Sequence, residues 1–394
     1  MSDELDLFEE QEEDTGRRKS RSKRRVRLIV IGAIVLAILA GGVWYGLRTI
    51  AGIGGYDDYS GAGESDVVFE VQPGDTTGTI ANHLKDADVV ASSRAFVDAA
   101  ESESKIRSVQ PGYYVMRTKV SGADAVAKMV NPTSRVGNLQ IKAGTQFDDV
   151  VNGNAVTPGV YSLLSKASCA QLNGKSTCVA VDDLRKVVET ADLTALGVPD
   201  WAVPDASKSP EPKRRLEGII MPDVYEVKPG STAEELLKGL IADSSARLQS
   251  IGMPALADST GFTPYQVLVM GSLVQREAIA GDFTKVARVT YNRLAKSMKL
   301  EYDSTVNYVL DRPAIRTKPE DRLKAGPYNT YANLGLPPTP IASVSREAIE
   351  AAAKPADGTW LFFVRCQKDG TSCFANTLEE HNANIALAGR NGAY

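Results

Sequence analysis

Residues 28–47, LIVIGAIVLAILAGGVWYGL, run for twenty positions without a charge, and no other feature constrains this chain as strongly. About 20 apolar residues wound as a helix match a hydrocarbon core of about 30 Å. The stretch just before it, 17–27, holds eight bases and no acid, and 3–14 holds eight acids and no base. A buried core helix is rarely flanked by so dense a basic block. A cleaved leader has a shorter apolar region and a small-residue cleavage site, and no such site follows Leu39. Trp44 and Tyr45 near the far end suit the interfacial belt, and the bases place the N-terminus in the cytoplasm. The sequence therefore predicts a cytoplasmic disordered tail over 1–27, a transmembrane helix over 28–48 and a flexible Gly/Ser-rich linker over 49–65. Everything after it is expected outside the cytoplasm, on a single-pass cell-membrane protein.

Cysteine placement agrees with that topology. Cys169 and Cys178 bracket AQLNGKST, and Cys366 and Cys373 bracket QKDGTS. Short loops of this kind are what a disulfide closes in an oxidising compartment, so two local bridges are expected. Metal binding is the rival, but neither pair has C-x-x-C spacing and the chain has only His83 and His381 to add. No metal and no other cofactor is expected. A net charge of −4, from 45 basic and 49 acidic residues, shows no basic excess and argues against a nucleic-acid partner.

A chain of 394 residues leaves room for two or three domains. The expected class is α+β. One pattern recurs: a β-type run, a turn, then an amphipathic helix, over 67–84, 139–151 and 223–240. In the first and third Pro-Gly makes the turn, and Asp75 or Ser231 stands where a helix N-cap belongs. The segment 67–116 adds DVVASSRAFVDAAE, a second helix with its own serine cap, and then the strand GYYVM. Strand–helix–helix–strand over this length resembles the LysM module, which binds N-acetylglucosamine-containing glycans, so 66–135 is assigned as a LysM-like α/β subdomain. A generic α/β wedge fits the pattern equally well. Residues 136–212 read as a β-rich connecting region ending in an exposed Pro/Ser/charge-rich stretch, and 213–394 as a mixed α/β catalytic domain.

Several chemistries can be set aside. There is no H-E-x-x-H or G-x-S-x-G, and NGKST lacks the leading glycine of a P-loop because Cys169 stands there. Residues 263–280 begin with Thr-Pro, a good helix start. At about 100° per residue, Val267, Met270, Val274 and Ala278 share an apolar stripe, and Glu277 falls inside it. Periodicity alone favours a buried salt bridge, to Arg288 or Arg293 on the next helix. The functional alternative is a general acid, since apolar surroundings raise a carboxyl pKa and keep its proton near neutral pH. Two later segments, LEYDSTVNYVL (300–310) and GPYNTYANLGLPPTPIASVS (326–345), concentrate hydroxyls, amides and tyrosines around a proline-rich loop. Such a set suits a carbohydrate, although a polar loop packed on its own domain would look the same.

LEGIIMPDVYEV (216–227), GSLVQREA (271–278), VARVTYNRLAKSMKLEYDSTVNYVL (286–310), GPYNTYANLGLPPTPI (326–341) and FANTLEEHNANI (374–385) occur in the order seen in the YceG-like family, which this chain resembles over most of 213–385. Its members are endolytic murein transglycosylases. The resemblance implies a lytic transglycosylase, a carbon–oxygen lyase that cuts peptidoglycan glycan strands internally between N-acetylmuramic acid and N-acetylglucosamine and leaves 1,6-anhydro ends. It implies Glu277 as the catalytic acid, and Asp303, Ser304, Thr305, Tyr328, Asn329, Thr330 and Tyr331 as the residues that meet substrate. It also implies termination of nascent strands and coupling to glycan polymerases such as penicillin-binding proteins. The family's V-E-K-E-T reads VQREA here, its D-P-T reads DST, and Thr339 replaces a common glycine; the acid is retained. Two rival readings are a non-catalytic peptidoglycan-binding scaffold and a hydrolase that pairs Glu277 with Asp303 as base.

Overall fold

A computed structural model describes residues 30–44, 55–310 and 319–393. The tail 1–27, both ends of the 28–48 span and the first part of the linker lie outside the described residues. Residues 30–44 are helical with every side chain exposed. Among the described residues, no helix is long and apolar enough to cross a membrane.

The strand–helix–helix–strand order expected over 67–116 is present. Strand Asp66–Val71 pairs antiparallel with Gly112–Arg117, setting Phe69 opposite Tyr114, and Arg135–Val136 adds a third strand beside it. Helices Thr77–Asp86, Ser93–Ala100 and Gly122–Met129 cover this sheet. Phe69, Val71, Ile80, Leu84, Phe96, Tyr114, Met116 and Met129 form a core of their own. Ser92 caps the second helix as expected. The caps expected at Asp75 and Ser231 fall one residue later. Thr76 accepts from the Thr79 N–H, and Thr232 closes a capping box with Glu235. Asp75 instead accepts from the Gln72 N–H at 2.7 Å, holding the turn. An acid one residue before a threonine can serve either position, and the turn took it.

The second body begins at strand Asn138–Ile141, which pairs antiparallel with Asp223–Glu226 and sets Leu139 opposite Tyr225. Its core runs without a break from Leu139 through Tyr161, Leu184, Leu216 and Leu240 to Val274 and Ile349. Residues 136–212 thus share one core with 213–394. Within 136–212 the β character is slight: beyond Asn138–Ile141, strands of two or three residues form two hairpins. Helices Val160–Ala167 and Val181–Thr190 bury the apolar side chains instead. The helix expected at the end of 139–151 does not form; the chain turns at Phe147 and enters the hairpin Val150–Asn152/Ala155–Thr157.

Both expected disulfides are present, with Cα–Cα distances of 4.1 Å for Cys169–Cys178 and 5.6 Å for Cys366–Cys373. The first closes a small hairpin that docks on the N-terminal sheet. Asp66 N–H donates to Asn173 Oδ1 at 2.7 Å, and Asn173 N–H returns a bond to Asp66 Oδ2 at 2.8 Å. The second closes hairpin Phe362–Arg365/Ser372–Ala375, and Ser372 N–H is held by buried Asp282 at 2.7 Å.

Candidate active site

Helix Pro264–Glu277 delivers the acid. Thr263 Oγ1 accepts from Gln266 N–H at 3.2 Å and the Gln266 side chain accepts from Thr263 N–H at 2.9 Å, a capping box that satisfies two free donors. From Val267 to Val274 every residue is buried, so the expected stripe is a helix enclosed on all sides. Gly271 permits this enclosure. A Cβ there would lie 3.0 Å from Val344 Cγ1 and 3.4 Å from backbone atoms of Ala348 and Ile349, on the neighbouring helix Arg346–Ala353. Ser272 Oγ accepts from Ile341 N–H at 3.0 Å, and Gln275 Oε1 from Ser345 N–H at 3.2 Å, which ties the proline-rich loop to this helix.

Glu277 is the last residue of the helix and half-buried. The unsatisfied carbonyls at a helix C-terminus carry a partial negative charge that disfavours a carboxylate and tolerates the neutral acid. Burial raises the Glu277 carboxyl above its ordinary pKa; hydrogen bonding from Ser304 opposes the rise, nearby Asp303 adds to it, and Arg276 weakly opposes it. The Ser304 N–H donates to Glu277 Oε1 at 3.1 Å. The salt bridge that periodicity favoured is absent among the described residues. Arg293 donates to the Leu361, Lys299 and Leu300 carbonyls and pairs with Glu301 at 3.2 Å. Arg288 donates to the Ala356 carbonyl, and Arg276 reaches away to the Gly144 carbonyl at 3.2 Å.

Two segments face this acid. The short helix Asp303–Asn307 brings Ser304 to Glu277 and carries Asp303 beside it. Asp303 is gripped by Arg322, whose Nε and Nη2 donate to its two oxygens at 3.2 and 3.1 Å, and by Tyr331 Oη at 2.7 Å. The Arg322 guanidinium also stacks 4.9 Å from the Tyr331 ring centre. Burial, joined by the hydrogen bond to Asp303, pushes the Tyr331 phenol well up, so it stays a donor.

Of the seven residues expected to meet substrate, Asp303 and Tyr331 keep accessible surface beside Glu277. Ser304, Thr305, Tyr328, Asn329 and Thr330 are buried. Asn329 Nδ2 donates to the Arg322 and Lys324 carbonyls and its Oδ1 accepts from Tyr331 N–H, so its side chain folds the loop. Thr330 Oγ1 bonds Thr305 Oγ1 at 2.9 Å and accepts from Tyr302 N–H, which pins the loop to the helix. Tyr328 Oη meets Thr339 Oγ1 at 2.9 Å. A loop held by prolines has few backbone bonds of its own, and these side chains supply them. His381 stacks on Phe362 and His83 sits in the first small helix, both outside this cluster.

Sequence reasoning missed Arg322, Tyr308 and Glu217. Arg322 lies outside every quoted motif. Glu217 and Tyr308 stand inside two of them, but periodicity cannot show that they touch.

The sequence model of the YceG-like family matches residues 69–387. The endolytic murein transglycosylase of Bacillus subtilis is 27% identical over 320 residues, covering 80% of this chain and 83% of that protein. That of Streptococcus pneumoniae is 25% identical over 382 residues, covering 92% of this chain; the chain spans 65% of that relative's length. The crystal structure of a YceG-like protein from Listeria monocytogenes matches 82% of this chain and 99% of its own, with a TM-score of 0.53 and 25% identity. With a family match that runs from the first strand to the last helix and a solved relative of the same architecture, this chain belongs to the YceG-like family.

Proposed function

We propose that this protein is a membrane-anchored lytic transglycosylase that cuts peptidoglycan strands internally, with Glu277 as its single acid–base residue. One observation carries the reading. Glu277 keeps solvent access at the C-terminal end of a buried helix, with its pKa raised by burial and no cation paired to it among the described residues. Ordinary glycosidases use two carboxyl groups. Here the neighbouring carboxylate, Asp303, is occupied by a guanidinium and a phenol, which suits positioning better than base catalysis. One acid suffices if the sugar supplies the nucleophile. Glu277 donates its proton to the glycosidic oxygen as the C1–O bond breaks, and the N-acetylglucosamine leaves with a hydroxyl. The C6 hydroxyl of N-acetylmuramic acid then bonds to C1 and gives its proton to the Glu277 carboxylate. No water is consumed, the acid is regenerated, and the product carries a 1,6-anhydro end. Intramolecular attack has the proximity advantage without a positioned water. The relatives' name, endolytic murein transglycosylase, supports the same reaction.

The anchor is residues 28–47, with the N-terminus cytoplasmic and the catalytic body outside. The exposed Val, Ile and Leu side chains over 30–44 and the two disulfides support that placement. The module over 66–135 is proposed to hold glycan in the manner of LysM, and glycan polymerases such as penicillin-binding proteins are the proposed partners in ending nascent strands.

The test is Glu277→Gln in the full-length protein in detergent, acting on sacculi. Release of anhydro-muropeptides is expected to drop by about 10²–10⁴-fold, the range for a lost general acid. Anhydro product persisting in the variant would remove Glu277 from the chemistry. Wild-type ends heavier by one water would replace the transglycosylase with a hydrolase, and no soluble product at all would favour the scaffold.

A further inference from the structure

Glu217 is a second buried carboxyl, and the chemistry proposed above does not use it. It is 1% exposed. Its Oε2 accepts from Tyr308 Oη at 2.8 Å and from Phe147 N–H at 3.2 Å, while Oε1 is buried without a partner among the described residues. The next residue, Gly218, lies against the proline-rich loop: a Cβ there would be 2.4 Å from Pro340 Cβ. Tyr308 is held from other sides as well. The Arg214 guanidinium stacks 4.2 Å from its ring centre and donates to its carbonyl at 2.8 Å, and the Tyr328 ring meets it edge-on at 5.0 Å.

From Tyr308 the contacts lead to the acid. Tyr308 N–H donates to the Ser304 carbonyl at 3.0 Å, and Ser304 N–H donates to Glu277 Oε1 at 3.1 Å. The helix between them is short, Asp303–Asn307, and has little stability of its own. Its placement depends on what holds its ends. A partly satisfied buried carboxyl costs stability that an apolar side chain of the same size would not, so folding alone is a poor account of Glu217.

We propose that Glu217 is a positioning residue for the reaction: through Tyr308 it fixes the helix that presents the Ser304 N–H to Glu277, and through the Tyr308–Tyr328 contact it steadies the loop carrying Tyr331. The assignment rests on Glu277 being the acid of the reaction. It predicts that Glu217 and Tyr308 act as one unit on turnover and leave substrate affinity alone.

The experiment compares full-length wild type, Glu217→Gln, Glu217→Leu, Tyr308→Phe and the Leu/Phe double variant in detergent, measuring kcat and KM for anhydro-product release together with thermal unfolding. Tyr308→Phe and Glu217→Leu are each expected to lower kcat by about tenfold or more, with KM within about twofold. The double variant should be no slower than the slower single one, and Glu217→Gln, which still accepts from Tyr308, should stay within about threefold of wild type. A purely structural role would lower the unfolding temperature and leave kcat of the folded fraction unchanged; that result overturns the assignment, as does an additive double variant. If Glu217→Leu does not fold, Tyr308→Phe decides alone, since it removes one hydroxyl and keeps the ring. Should wild type itself release no anhydro ends, the transglycosylase reading falls and takes this assignment with it. An active wild type with unaffected variants sinks only the role of Glu217.

Discussion

Replacing Glu217 by glutamine should change how stability depends on pH. Burial lifts the Glu217 carboxyl from an ordinary 4.5 to about 7, against the opposing pull of the Tyr308 and Phe147 hydrogen bonds and the Arg214 charge. The folded state therefore holds a proton that the unfolded chain has already released across that window. Stability falls as pH rises wherever the folded state binds more protons, so wild type loses stability between about pH 4.5 and 7 and then levels off. At 1.36 kcal/mol per pKa unit, the loss is about 3 kcal/mol. Glutamine has no proton to lose. Below pH 4.5 it replaces one neutral group by another and leaves an amide N–H₂ beside the site of the unpartnered oxygen, at a cost of about 1 kcal/mol. Wild type should then be the more stable protein at pH 4 and the less stable by about 2 kcal/mol at pH 8. Urea unfolding of both proteins, followed by tryptophan fluorescence, to which Trp201 on the core that contains Leu216 contributes, measures the difference at each pH. Every other titrating group is common to both chains and cancels. An offset between the two curves that stays constant from pH 4 to 8 would refute the reasoning, because it would mean Glu217 titrates in the folded protein as it does in the unfolded chain.

Two further outcomes follow from the site and its support. On the proposed role the raised Glu277 carboxyl acts in its protonated form, so the initial rate of anhydro-product release should decline as pH rises through that pKa, and a rate that climbs steadily from pH 5 to 9 would contradict an acid role. Gly271→Ala should destabilise the protein by about 1–3 kcal/mol, read as a lower urea midpoint at unchanged slope, since its methyl would press on Val344 and on the backbone of Ala348 and Ile349.

The sequence announces what depends on neighbours in the chain. Thr263-Pro264 predicts its helix start because the cap, the proline and the capping-box glutamine lie within four residues. Ser92 and the strand order of 67–116 were legible for the same reason, as were the disulfides, whose partners are seven and nine residues apart. The misreadings occur where tertiary context decides between local options. QFDDVV has the polar–apolar mix of a helix, but Phe147 is drawn into the main core beside Tyr161 and Glu217, and the chain turns there. Residues 136–212 have β-type composition, yet their strands find only hairpin partners, and burial falls to the two helices. The tyrosines, amides and hydroxyls of 300–345 were legible as a cluster. Which of them face outward was not, because each can bond a glycan or its own loop equally well.

The two acids, Glu277 and Glu217, make that limit concrete. Periodicity gives Glu277 a plain explanation, an ion pair, and singles out nothing about Glu217. In the structure neither has one among the described residues, and what separates them is access. Glu277 ends its helix with part of its surface open, one N–H on one oxygen, and Arg322 held off on Asp303. Glu217 is enclosed, and its contacts are a phenol and a backbone N–H. An acid that must give up and retake a proton in each cycle needs an oxygen that substrate can reach. An acid that positions needs only a fixed partner. Access therefore favours Glu277 for the proposed chemistry and Glu217 for the proposed support, and the short Asp303–Asn307 helix is the element through which the second would affect the first.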